Sequence, residues 1–129
     1  MDQDTLVNSL EKVATELAQK EGPLALFMLL APDAETTDRW NLIVSAHGLD
    51  RKSRGNAIRQ VSGLLRERVP ESEWPRIARV TVLRTDEPFV RAMNNAVESE
   101  NKIAYMQSCS VFGVEIPQAV LFQSRRVAA

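Results

Sequence analysis

"WNLIVSAHGLDRKSRGNAIRQV", residues 40–61, decides the fold. Its first seven residues read as a β-strand. Its second half changes period: Ile58, Val61 and Leu65, with Ala57 and Leu64 beside them, form the stripe of an amphipathic helix. Between the two stands Asp50, placed as a helix N-cap, and the spacing predicts a helix over 51–69. The next apolar run, "RIARVTVLR", is rich in β-branched residues and reads as another strand. Strand, helix and strand in succession make a βαβ unit, whose strands run parallel through a right-handed crossover.

Working outward, residues 24–31 are a continuous apolar run between Pro23 and Pro32, the pattern of a strand buried on both faces. The polar, acidic "PDAETTD" joins it to residues 40–46 as an antiparallel hairpin. Residues 4–20 carry Leu6, Leu10, Val13 and Leu17 at helical spacing, capped by Asp2 or Asp4 and stopped by Gly22-Pro23. Beyond the βαβ unit, "VPESEWP" breaks the second helix. "TDEPFVRAMNNAV" then starts a third helix, with Asp86 as its cap and Pro88 in its first turn, where the missing donor costs nothing. "IAYMQSCSVF" and "IPQAVLFQS" are two further strands turning at Gly113, and Pro117 places the last strand at or along a sheet edge. "RRVAA" reads as a frayed tail. The order α-β-β-α-β-α-β-β gives an α/β or α+β fold: one domain over residues 1–129 and a mixed five-stranded sheet. In it the second, third and fourth strands are expected to be parallel.

The chain has 129 residues, 44 % apolar and 26 % charged, with aromatic content of 5 %, so its core is mostly aliphatic. A net charge of −1 argues against nucleic acid or an anionic membrane as partner. One cysteine, Cys109, allows no internal disulfide and no thiolate-rich metal site. "MDQD" offers no apolar signal region, and the longest apolar run, "LALFMLLA", is too short to span a bilayer. These features are those of a soluble cytoplasmic protein without a cofactor.

"WNLIVSA" followed by "LD", then "ARVTVL…DEPFV" and "CSVFGVEIPQAVLFQS", resembles a group of small bacterial proteins of unknown function. Their pattern reads Trp-Asp-Leu-Val-Val-Ser-Ala, then Leu-Asp, then Asn-Pro-Phe and Phe-Asn-Gly-Ile. The likeness covers most of the chain after residue 24 and implies a bacterial source. It implies no activity, cofactor or catalytic residue. The chain departs from the pattern at His47-Gly48, where the group has Pro-Trp.

Ligands of parallel sheets gather beyond the carboxyl ends of the strands. The expected topology brings His47, Gly48, Thr85, Asp86, Ser108, Cys109 and Ser110 to one rim, with Arg51 and Arg54 on the first turns of the second helix. Three readings follow. The leading one is a non-catalytic interaction or regulatory domain that pairs with a protein partner or a second copy, since no catalytic signature occurs. Exposed sheet edges pair readily, so the final strands or an apolar helix face would carry a homodimer. The second is an anion site for a nucleotide or phosphorylated metabolite, built from His47, Arg51, Arg54 and Asp86. Guanidinium groups suit phosphates and carboxylates, and helical side chains lean toward the N-terminus, over the strand ends. The third is an enzyme with Cys109 as nucleophile, His47 as base and Asp86 as orienter.

Overall fold

The computed structural model describes residues 4–33, 35, 38–99 and 102–127. The elements follow the expected order: α1 (Thr5–Glu21), β1 (Leu24–Leu30), β2 (Trp40–Ala46), α2 (Arg54–Arg68), β3 (Ile77–Val82), α3 (Pro88–Ala96), β4 (Ala104–Val111) and β5 (Val114–Ser124). Short 3-10 helices, His47–Arg51 and Glu71–Arg76, precede α2 and β3. Ala34, Thr36 and Thr37 of the acidic loop, and the end of the expected C-terminal tail, lie outside the described residues.

Asp4 starts α1 by accepting a hydrogen bond from the Leu6 N–H at 2.8 Å. Gly22 ends it at φ 81°, a conformation that favours glycine. The intervening stripe of Leu6, Leu10, Val13 and Leu17 is buried on the sheet. The five strands form one sheet in the order β3-β2-β1-β5-β4. β2 and β3 are parallel, joined through α2, while β1 is antiparallel to both β2 and β5.

The expectation that β4 joins the parallel set is overturned. β4 pairs antiparallel with β5 at the edge farthest from β3, and so runs opposite to β2 and β3. A parallel return requires the connection to travel back along the full strand. At nine residues, α3 is about 13 Å long. It packs on β1 and β4, and the chain re-enters the sheet at the end it left. There Ser99 and Ser124 exchange backbone hydrogen bonds, both at 2.8 Å.

Helices α1 and α2 cover one face, over Phe27, Leu42, Val44 and Phe122, and α3 covers the other, over Leu26, Met28, Ile43 and Leu121. A bulge at Ala25 interrupts the alternation of β1 and sends both Ala25 and Leu26 to the α3 side. Phe27 and Phe122 meet edge to face, with ring centroids 5.5 Å apart. Arg68 grips Glu16 through two nitrogens, at 2.8 and 3.3 Å, and ties the far end of α2 to α1.

β5 is an inner strand along its second half, not an edge. Only its first part, with Pro117, extends past β1, whose pairing reaches Ala119. The Gln118 carbonyl faces β1, where it accepts from the Ala31 N–H at 2.9 Å. The missing N–H of Pro117 therefore falls on the β4 side, opposite Ser108, the one position that the β4–β5 register skips. β4 and β5 turn through Phe112 and Gly113, both at positive φ, as a two-residue hairpin turn matched to strand twist needs.

Candidate functional site

The rim at the carboxyl ends of β2 and β3 exists, but it holds only part of the expected constellation. His47 opens the 3-10 helix after β2, half-buried, and its backbone N–H donates to the Pro23 carbonyl at 3.2 Å. Arg51, Arg54 and Asp86 are exposed on the same rim. Ser108, Cys109 and Ser110 are not there. Because β4 runs the other way on the opposite edge, they lie toward the far end of the sheet. This topology separates Cys109 from His47 and removes the geometry of a Cys-His pair.

Asp50 does not cap α2. Its carboxylate accepts from the Thr85 backbone N–H at 3.0 Å and from the Thr85 hydroxyl at 2.5 Å, holding the β3–α3 loop against the segment that follows β2. Ser53 caps α2 instead, its hydroxyl accepting from the Asn56 N–H at 3.2 Å. Arg51 and Lys52 therefore precede the helix, so the cost of cations inside its first turn falls on Arg54 alone. Asp86 does not cap α3 either. It pairs with Arg84 at 3.2 Å, both side chains exposed, and α3 begins after Glu87 with Pro88 in its first turn.

Several of these groups are already engaged with one another. Arg84 also donates to the Asp50 carbonyl at 3.3 Å. Glu21, at the end of α1, accepts from Gln60 at 2.6 Å and lies 3.9 Å from Lys52. Gly48 passes so close to Glu21 that a Cβ would collide with its carbonyl oxygen. Among the described residues, Arg51 and Arg54 form no ion pair, and no three His, Cys, Asp or Glu side chains gather as a metal would need.

Two other features are not built from these side chains. The first is the edge strand β4. From Ile103 to Val114 the chain carries no charged residue, and Tyr105 and Phe112 are 65 % and 66 % exposed. The second is a groove of about 600 Å³ between α1 and the ends of β4 and β5. The strand was legible in the sequence, but its place at the edge was not. The groove joins residues far apart in sequence, so no local pattern announced it.

No protein-family model, curated protein or solved structure matches the chain.

Proposed function

We propose that this chain is a non-catalytic interaction domain that pairs with a second copy of itself through the open edge of β4. The observation that carries the reading is the uncharged, eight-residue edge with an exposed aromatic side chain near each end. Edge strands are ordinarily protected by charge, by shortness or by a cover. The opposite edge, β3, follows that rule: it has six residues, and Arg79 is exposed on it. β4 has no charge, so two antiparallel copies meet without like-charge repulsion. Ser108 stands at φ 51° in the middle of the strand. Antiparallel pairing of two β4 strands uses the same edge of both copies, so the contact is two-fold symmetric and closes as a dimer rather than an open-ended ribbon.

Light scattering across a concentration series should show a monomer passing into a dimer. Gln107→Lys places a charge on the edge and should leave only monomer over the same range. A wild-type chain that stays monomeric throughout would reject the reading.

A second reading rests on Arg51 and Arg54, two exposed guanidinium groups beside the N-terminus of α2 with no acidic partner among the described residues. It assigns the rim to a phosphorylated metabolite, with His47 and Asp86 at its border. Titration of a nucleotide into wild type and Arg54→Ala tests it. Equal affinity in both proteins, or no saturable binding, removes it.

A further inference from the structure

Five strands about 4.8 Å apart make a sheet roughly 24 Å wide, and two helices roughly 10 Å across cover roughly 20 Å of it. On the face of α1 and α2, the uncovered margin falls over the ends of β4 and β5. Here α1 presents Ala14 and Ala18, side chains too small to close the gap, and the groove opens between them and the sheet. Its floor is apolar: Ala14, Ala18, Leu24, Ile103 and Phe122. Leu24 and Phe122 are buried, so the floor is continuous with the core. The volume of about 600 Å³ lies inside the range of roughly 300–1,000 Å³ of small-molecule sites.

The polar groups at the mouth are unevenly distributed. Lys102, Gln123 and Arg125 line the sheet side. The helix side carries Glu11, Thr15 and Gln19. An anionic headgroup is therefore attracted to one wall and repelled by Glu11 on the other, while an apolar tail has only the floor to bury against. We propose that this groove binds an amphipathic organic carboxylate, its chain on the apolar floor and its carboxylate held by Lys102 and Arg125. The site does not depend on the pairing of β4, and it is tested at a protein concentration where light scattering shows monomer.

Isothermal titration with decanoate, kept below its micellar concentration, is the direct test, with decanol as the uncharged control. Wild type should bind one decanoate per chain saturably and bind decanol about tenfold more weakly, the difference expected for losing a charge-assisted contact. Lys102→Glu, at an exposed position, should weaken decanoate by about tenfold or more and leave decanol nearly unchanged. Ala18→Phe, checked for native circular dichroism, should fill the floor and abolish both. If that variant does not fold, the Lys102→Glu comparison and the decanol control still decide. Absence of saturable decanoate binding would overturn the proposal, as would equal affinity for decanoate and decanol or an affinity untouched by Lys102→Glu.

Discussion

Asn94 shows how much one side chain in a nine-residue helix can hold. It is 9 % exposed, and its amide donates to the Ala25 carbonyl at 2.8 Å and to the Ser124 hydroxyl at 3.2 Å. Ala25 is the bulged residue of β1, whose carbonyl also accepts from the Arg125 N–H at 3.1 Å. One amide thus fastens α3 to the bulge and to the end of β5. Asn94→Ala should cost about 1–3 kcal/mol, because the buried Ser124 hydroxyl loses a partner and the helix loses its polar anchor. Urea denaturation would measure this, and a midpoint equal to wild type would show the anchor to be dispensable. In the sequence, "RAMNNAV" gives no sign of which asparagine points inward. Asn95 is exposed, and the distinction depends on where α3 lies on the sheet.

Elements here are fastened mainly at their ends. The 3-10 helix after β2 fits under the end of α1 only because residue 48 is glycine, whose absent Cβ leaves room for the Glu21 carbonyl. Gly48→Ala should destabilise the fold by about 1–3 kcal/mol, the usual range for overpacking a tight contact. Thermal unfolding would register this, and an unchanged midpoint would mean that α1 shifts without cost. At the other end of α1, Asp4 both caps the helix and pairs with Arg76 at 2.9 Å. The hydrogen bond from Arg76 is the largest influence holding the Asp4 carboxyl below its ordinary value, and the guanidinium is pushed up in return by the same partner. A carboxyl lowered in the folded state adds stability that is complete above its unfolded pKa of about 4. That stability is lost as pH falls through the lower, folded value. The Asp4 side chain is 40 % exposed, so solvent screening limits the ion pair to about 0.2–1 kcal/mol. Between neutral pH and pH 3, wild type should therefore lose more stability than Arg76→Ala. Parallel pH dependence in the two proteins would remove the pair from the acid response.

For the whole molecule, the strand order sets a gradient of protection. β1 is flanked by β2 and β5 and covered on both faces, whereas β4 has one neighbour and four exposed residues in succession, Gln107–Ser110. In dilute solution, amides of β1 should exchange slowest and those of β4 among the fastest of the strands, since local opening follows contact density. Raising the concentration should slow exchange selectively in 104–111 if copies pair there. Slowing confined to α1 or α3 would place the contact on a helix face instead.

The sequence by itself determined the elements and their order. Periodicity, caps and breakers act over a few residues, so Asp4, Gly22, Pro23, Pro88 and Gly113 marked boundaries that the structure keeps. The βαβ unit was readable for the same reason, because strand, helix and strand follow directly in the chain. Only the tertiary structure decided the rest. α3 carries the chain to β4 at the opposite edge, which reverses β4 and separates Cys109 from His47. Asp50 is a local cap candidate by residue type, yet Thr85, brought near by the fold, claims it. A carboxylate answers to whichever donors the fold brings near, and short-range sequence pattern does not encode a donor 35 residues away. The groove has the same origin: its walls come from α1, β5 and the approach to β4, and they become neighbours only when the sheet closes.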